Sequence, residues 1–205
     1  MSQPLLARSL AIRRVVAQAF VDDPLLEWIF PDASTRLECT AAWMGLFVEE
    51  YLLHCRVDTV EVGGEVVAAA LWRIPNAAPM PYPELPSIPG LLGALVGSER
   101  QLRLGQAMRA LSAAHPSYPY AYLQFLAVAP SHQGRRLGRE VVQPGLDAAS
   151  DARLPAYLET TNRRNLSFYL SMGFEVTNHF TLDDDGPETW CLARSVPSSG
   201  AAPSR

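Results

Sequence analysis

Lysine is absent from this 205-residue chain, so arginine supplies all 17 of its basic side chains. Together with 21 acidic residues they give a formal net charge of −4, which argues against a general nucleic-acid binder. A guanidinium group is planar and carries several donors, so it suits directed contacts to phosphate better than diffuse attraction. The composition therefore excludes a broad basic surface and leaves room for a localised phosphate contact.

Cysteine is also scarce, and the three that occur lie far apart in the sequence: Cys39, Cys55 and Cys191. An odd number without paired spacing predicts neither a disulfide framework nor a zinc site. No apolar run is long enough to cross a bilayer, and Pro4 and Arg8 interrupt the N-terminal segment in a way that signal peptides do not show. We therefore expect a cytoplasmic protein with no membrane partner and no metal.

Hydrophobic periodicity divides the chain into helical and extended segments. It predicts helices over residues 10–20, 35–53, 91–114, 138–150 and 165–172. We expect Asp22, Asp23 and Pro24 to stop the first helix, with breaks near Gly97 in the third and at Pro144 in the fourth. Runs rich in β-branched and aromatic residues predict strands over residues 57–62, 65–74, 120–128, 155–161, 174–182 and 188–195.

The order of these segments predicts a single α/β domain with a central mixed sheet. The strand, helix and strand that follow residue 120 imply a parallel pair joined by a crossover. The proline-rich residues 75–89 are predicted to form a loop, which with the helices after it could cover a small pocket. We assign residues 1–195 to the domain, and expect the Pro, Ser, Gly and Ala of residues 196–205 to be disordered.

The most informative pattern is a predicted strand that ends at Val128 and leads through a polar, glycine-containing loop into a helix at Gly138. Such a junction directs several backbone N–H groups at one point, where the helix dipole adds positive charge, and it is suited to a diphosphate. A solvated basic helix start is the alternative. The absence of a Gly-Lys-Ser/Thr sequence excludes a P-loop, and the two glycines available disfavour a dinucleotide fingerprint.

The same segment resembles the acetyl-CoA-binding motif of the GCN5-related N-acetyltransferase (GNAT) superfamily. Gln133, Leu137 and Gly138 match that motif, whereas Arg136 stands where a glycine is usual. The segments "HQGRRLGREVVQPGLDAA", "PAYLETTNRRNLSFYLSMGFEV" and "GPETWCLAR" resemble the puromycin N-acetyltransferase branch more closely. The resemblance covers most of the chain and implies a GNAT-like sheet with a splayed parallel strand pair, flanked by helices.

The resemblance also implies a set of coenzyme contacts. Backbone groups of Leu126, Ala127 and Val128 would bind the pantetheine arm, and the Val128 N–H would stabilise the oxyanion. A loop around the pyrophosphate would comprise Gln133, Gly134, Arg135, Arg136, Leu137, Gly138 and Arg139. Asn162 corresponds to the family asparagine that contacts the coenzyme arm, although a helix N-cap explains it equally well, and Asn165 is the other candidate for either role.

Two further residues are implied in catalysis. Tyr169 stands at the family position of the tyrosine that protonates the departing thiolate, and a phenol stays protonated at neutral pH. Its alternative role is that of a core tyrosine. Glu159 is a carboxylate in an otherwise apolar strand, where some family members place the general base. A paired charge beneath the site is the alternative for Glu159.

Taken together, these residues predict an acetyl-CoA-dependent N-acetyltransferase that acts on a small-molecule amine, puromycin-like or related. A protein or peptide acceptor and a non-catalytic acyl-CoA sensor are the alternatives. The acceptor residues should come from residues 21–119, where the resemblance is weakest. Aromatic side chains there could line the pocket or form core: Trp28, Phe30, Trp43, Tyr51 and Trp72. The oligomeric state stays open, a homodimer included.

Overall fold

In the computed structural model, residues 3–75 and 86–196 are described. The helices are α1 (Gln3–Phe20), α2 (Pro24–Ile29), α3 (Arg36–His54), α4 (Ser87–Val96), α5 (Ser98–Ala113), α6 (Leu137–Asp151) and α7 (Leu166–Ser171). The strands are β1 (Arg56–Val62), β2 (Glu65–Arg73), β3 (Ala121–Val128), β4 (Ala156–Thr160), β5 (Glu175–Thr181) and β6 (Glu188–Arg194). Short 3₁₀ helices span Pro130–His132 and Arg163–Asn165.

The six strands form one mixed sheet in the order β1-β2-β3-β4-β6-β5. Only β3 and β4 run parallel, because α6 carries the chain between them, and all other neighbours are antiparallel. This confirms the predicted α/β fold with its parallel pair. The β1–β2 turn lies at Gly63 and Gly64, both with positive φ, between the strands predicted over residues 57–62 and 65–74.

Helices cover both faces of the sheet. On one face, α6 and α7 pack on Ala68, Ala70 and Trp72 of β2. On the other face, α1, α3 and the helices α2, α4 and α5 enclose Ala69 and Leu71 of the same strand. The alternation along β2 follows the two-residue period of a strand, so each face of the sheet receives its own hydrophobic core.

Three predictions about helices need correction. The first helix begins at Gln3, well before residue 10. Asp23 and Pro24 do not only end it: Asp23 caps a further short helix through Leu25 N–H, and Pro24 occupies its first position. The fourth predicted helix runs through Pro144 without a break, while Gly145 allows the helix to lie against the Trp72 ring.

Other boundaries follow the predictions more closely. The break at Gly97 separates α4 from α5, and Gly173 ends α7 with φ 85°. The loop predicted at residues 75–89 is shorter at its C-terminal end, because α4 begins at Ser87, and its residues 76–85 lie outside the described residues. The tail prediction likewise falls, from residue 197 onward, outside the described residues. The three cysteines are free thiols.

Candidate active site

The parallel strands β3 and β4 diverge soon after they begin. Their pairing is limited to Ala121 with Ala156 and Tyr122 with Tyr157. From Leu123 onward, β3 keeps its partner β2 on one side and has a gap on the other. A strand with one unpaired edge presents N–H and C=O groups that an extended ligand can pair with.

The direction of the β3 backbone groups follows from the sheet register. Ala129 N–H donates to Val67 C=O at 2.8 Å, so the alternation of an antiparallel ladder turns the groups of Ala127 toward β2. Those of Leu126 and Val128 then point into the gap. Consistent with this direction, Gln133 Nε2 donates to the Val128 C=O at 3.2 Å. Three residues were predicted to contact the pantetheine arm through their backbone. Leu126 and Val128 direct backbone groups into the gap, whereas the backbone groups of Ala127 face β2.

The loop that follows β3 wraps tightly before α6 begins. Gly134 has φ 75° and Arg136 has φ 65°, which places both in the left-handed region. Within the described part of the chain, the N–H groups of residues 134–138 have no hydrogen-bond acceptor. The Arg135 and Arg136 side chains are exposed and make no ion pair with any described residue. The loop therefore combines free backbone donors, the N-terminus of a 15-residue helix and two guanidinium groups that have no ion-pair partner among the described residues.

Two other loop residues have structural contacts of their own. A Cβ built on Gly138 would lie 3.5 Å from Phe168 and 3.7 Å from Val128 Cγ2, which is ordinary van der Waals contact. Arg139 does not face the loop: its guanidinium donates to the Ser171 carbonyl at 3.1 Å and to Ser171 Oγ at 3.0 Å. Arg139 thus joins α6 to α7, and Arg135 and Arg136 are the arginines left to contact a phosphate.

The two asparagines after β4 separate into different roles. Asn162 Oδ1 accepts a hydrogen bond from Arg164 N–H at 3.1 Å, so Asn162 caps the 3₁₀ helix Arg163–Asn165. Asn165 precedes α7 without a side-chain cap and lines a cavity instead. The capping role of Asn162 is therefore present, and any coenzyme contact would be additional to it.

That cavity, about 380 Å³ in volume, lies beside the gap between β3 and β4. Its wall includes the β3 residues Leu123–Leu126, Glu159 of β4 and Tyr169 of α7. Most of the remaining lining is apolar and comes from helices α2 to α5: Leu25, Leu26, Trp43, Met44, Phe47, Ile88, Leu92, Met108 and Leu111. The helices after the proline-rich segment thus form one wall, as the sequence suggested.

Tyr169 is buried at the junction of α7 with this cavity, with only 8% of its surface exposed. Its ring packs against Phe168 and Phe174, and its hydroxyl makes no hydrogen bond to any described residue. Burial raises the pKa of Tyr169, and the negative charge of Asp23 acts in the same direction. The phenol is therefore held protonated, with a hydroxyl that remains available to a substrate.

Asp23 is a second acidic residue in the wall of the cavity. Its Oδ1 accepts hydrogen bonds from Leu25 N–H at 3.0 Å and from Thr161 Oγ1 at 2.7 Å. Burial raises the pKa of Asp23, and the hydrogen bond from Thr161 opposes this shift only in part. The contact joins the start of α2 to the residue that follows β4, in the wall of the cavity.

Glu159 forms the third polar element of the cavity and has a partner that sequence reasoning missed. Its Oε1 lies 2.5 Å from His115 Nε2, while only 8% of the Glu159 side chain and 17% of the His115 side chain are exposed. The two atoms are close in distance but lack the alignment of a hydrogen bond, because Oε1 has no aligned donor. On its other side, His115 Nδ1 lies 2.6 Å from the Tyr120 hydroxyl.

The aromatic residues expected at the pocket divide between pocket and core. Trp43 lines the cavity, whereas Phe30, Tyr51 and Trp72 are buried elsewhere, and Trp28 Nε1 donates to Asp185 Oδ1 at 3.0 Å. No sequence motif marked His115, since its partner is 44 positions away (159 − 115). The only available signal was that a histidine and a tyrosine flank the turn before β3.

The geometry defines an α/β protein with a gap in its sheet, a loop with free N–H groups at a helix start on one side of the gap and an acid-containing cavity on the other. The acetyltransferase (GNAT) family model matches residues 17–174. The chain belongs to that family and is an acyltransferase.

Solved structures agree with this assignment. A protein described as a histone acetyltransferase and related acetyltransferase from Corynebacterium glutamicum is 25% identical, with a TM-score of 0.70 over 100% of this chain and 96% of that one. Arylalkylamine N-acetyltransferase 2 from Aedes aegypti is 12% identical, with a TM-score of 0.60 over 93% and 95% of the two chains. The PaiA N-acetyltransferase from Thermoplasma acidophilum, solved with coenzyme A, is 10% identical with a TM-score of 0.51 over 93% and 94%. At these lower identities the likeness concerns the fold.

Among residues 3–75 and 86–196, no cluster of His, Cys, Asp and Glu side chains could hold a metal ion. None of their helices has both the length and the apolar character needed to traverse a lipid bilayer.

Proposed function

We propose that the protein transfers the acetyl group of acetyl-CoA to the amine of a small molecule, puromycin-like or related. The observation that carries the proposal is the gap between β3 and β4, which lies between a loop of a phosphate-binding type and a cavity containing Glu159 and Tyr169. Acyl transfer from a thioester to an amine needs a donor for the leaving thiolate and an acceptor for the ammonium proton. Both groups are present in one cavity.

On the coenzyme side, the free N–H groups of residues 134–138 and the Arg135 and Arg136 guanidiniums would hold the diphosphate. The Leu126 and Val128 backbone would pair with the pantetheine arm, and the Val128 N–H would face the thioester oxygen. A bound coenzyme supplies the activated acetyl group. The chain's own residues orient it and exclude water from the reacting carbonyl.

On the acceptor side, Glu159 would remove a proton from the ammonium group, and the neutral amine would then attack the thioester carbonyl. The Tyr169 hydroxyl would protonate the sulfur as the C–S bond breaks. Burial keeps the phenol protonated before the reaction, so the hydroxyl has a proton to donate when the C–S bond breaks.

The cavity favours a small acceptor over a protein. Its volume of about 380 Å³ falls within the ordinary range of small-molecule sites, and α4 and α5 close one side of it. A peptide substrate would need an open groove. A sensor of acyl-CoA would need neither a hydroxyl nor a carboxylate beside the thioester. The apolar walls favour an amine that carries an apolar body.

A panel of amines with acetyl-CoA tests the proposal, with release of free thiol as the measurement. Small primary amines with an apolar or aromatic body should be acetylated, and their short hydrophilic analogues should react far more slowly. Peptides with a free N-terminal amine should not be acetylated. Glu159→Gln should alter the dependence of the rate on pH, since it removes a titrating group and keeps the shape. Tight acetyl-CoA binding without acetylation of any amine would favour the sensor instead.

A further inference from the structure

His115 occupies a position that the proposed transfer does not yet use. It lies in the turn between α5 and β3, lines the cavity, and touches Glu159 with one ring nitrogen and Tyr120 with the other. The distances are 2.5 Å from Nε2 to Glu159 Oε1 and 2.6 Å from Nδ1 to the Tyr120 hydroxyl. Three titratable side chains therefore form a continuous chain.

The ring is fixed by aromatic packing as well as by these contacts. The centroid of the His115 ring lies 5.9 Å from that of Tyr120, 5.1 Å from that of Tyr122 and 5.1 Å from that of Tyr157. Tyr157 and Tyr122 are buried, whereas Tyr120 is partly exposed. The chain of contacts thus begins at a carboxylate in the cavity and ends at the hydroxyl of a partly exposed tyrosine.

The proposed reaction produces a proton that this chain of contacts could carry away from the cavity. When an ammonium group becomes an amide, its nitrogen loses two protons. One proton ends on the thiol sulfur of the released coenzyme, and the other must reach the solvent. In a cavity with mostly apolar walls that second proton needs a route, because a carboxylic acid left protonated there could not accept another proton.

Resting on the proposed function, we propose that His115 is a proton relay between Glu159 and solvent, with Tyr120 as its outer end. The N–H bond of the ammonium breaks, and its proton goes to a Glu159 oxygen. In the tautomer that carries hydrogen on Nδ1, Nε2 accepts this proton. The Nδ1 proton passes to the Tyr120 oxygen, whose own proton leaves to water. After the product leaves, water that enters the cavity takes the proton from Nε2, and Nδ1 regains its proton through Tyr120. Each turnover thus releases one net proton to solvent and returns His115 to its starting tautomer, and His115 acts on the substrate only through Glu159.

Chemical rescue distinguishes a relay from a packing role. His115→Ala opens a space beside the cavity, and the variant should lose about 10²-fold in kcat, the low end of acid–base contributions, with unchanged calorimetric affinity for acetyl-CoA. Added imidazole should restore at least about tenfold of that loss, and substituted imidazoles should restore it in the order of their basicity. Tyr120→Phe keeps the ring and should lower kcat by a smaller factor.

Two controls complete the experiment. His54→Ala changes an exposed histidine at the end of α3 and should show neither loss nor imidazole dependence. In the double variant His115→Ala, Glu159→Gln, imidazole should have no effect, because the inner end of the relay is gone. Full activity of His115→Ala, or a loss that no imidazole repairs in a folded variant, overturns the relay alone. A wild type that acetylates no amine overturns the proposed function together with it.

Discussion

The two sides of the gap between β3 and β4 use different parts of the polypeptide. On the coenzyme side the chemistry belongs to the backbone: free N–H groups of residues 134–138, the unpaired edge of β3 and the start of α6. On the acceptor side it belongs to side chains that meet across long sequence separations, such as Asp23 with Thr161 and His115 with Glu159. In the proposed function, a local backbone motif would bind the coenzyme, which many enzymes share, and an assembled cavity would bind the acceptor, which differs between them.

This contrast predicts that variants on the two sides separate binding from turnover. A change in the loop should act on coenzyme affinity and leave the chemistry of bound substrate intact. A change in the cavity should do the opposite.

The largest effect is expected for Tyr169→Phe, on the cavity side. The variant removes one hydroxyl that has no partner among the described residues, so packing and coenzyme affinity should survive. Turnover should fall by about 10²–10⁴-fold, because the thiolate leaves without its proton donor. Steady-state kinetics on a confirmed acceptor, with calorimetry of acetyl-CoA binding, measures both quantities. A fully active Tyr169→Phe would make Tyr169 a core residue and leave the acid to be found elsewhere.

Gly138→Asp should give the next largest effect, and on affinity alone. It places a carboxylate in the first turn of α6, where a diphosphate would lie, and like-charge contact of this kind costs several kcal/mol, or about 100-fold in affinity. Gly138→Ala is the matched control, since a Cβ at this position meets only ordinary contacts, and it should bind acetyl-CoA almost normally. Equal affinity of the Asp and Ala variants would remove the phosphate from this loop.

Arg136→Gly tests whether a loop arginine contributes to coenzyme affinity. If Arg136 makes a charge-assisted bond to a coenzyme phosphate, its loss should weaken binding by about 1.5–3 kcal/mol. The glycine should nevertheless relieve the left-handed backbone strain at φ 65°. Arg153→Gly is the control, because Arg153 has φ 56° after the end of α6 and should show the strain relief without a change in affinity. Tighter coenzyme binding by Arg136→Gly would identify the arginine as an obstruction.

The smallest effect concerns stability on the cavity side. Because folding raises the pKa of Asp23 above its ordinary value of 3.8, the folded state binds the Asp23 proton more readily than the unfolded state does. The contribution of Asp23 to the free energy of unfolding is therefore fully present below about pH 3.8 and is lost as the pH rises through the raised pKa of the folded state. Denaturant titrations from pH 4 to 7 should show wild type losing stability relative to Asp23→Asn, which keeps the cap to Leu25. Exposed Asp22→Asn should show no such trend.

The sequence predicted the coenzyme side far better than the acceptor side. Val128, Gly134 and Gly138 lie within one short stretch, so a pattern of residue types was sufficient to predict a strand, a tight loop and a helix start there. Arg139 was assigned to the loop because charge alone was visible, and its bond to Ser171 depends on where α7 packs. The direction of the Ala127 backbone depends on the register with β2, which no local pattern specifies.

The acceptor side depends on folding of the whole chain. The α2 helix was missed because Asp23-Pro24 terminates one helix and initiates another with the same residues. Pro144 was predicted to break α6, whereas the helix continues through it with Gly145 packed against Trp72. His115 could not be predicted as a site residue, because its partner Glu159 belongs to β4 and comes beside it only once the sheet has formed.

The narrow junction between β3 and β4 has a thermodynamic consequence. Among the described residues, only two register pairs join β3 and β4 edge to edge. Elsewhere the two halves of the sheet are connected by α6, by shared core residues and by side-chain contacts such as that of Asp23 with Thr161. An extended ligand lying in the gap would add the missing rungs of the ladder and join the halves. By mass action, such a ligand raises the melting temperature in proportion to the logarithm of its concentration. Amide hydrogen exchange of Leu126 and Val128 should slow in the same titration, so coenzyme would act as a removable seventh strand.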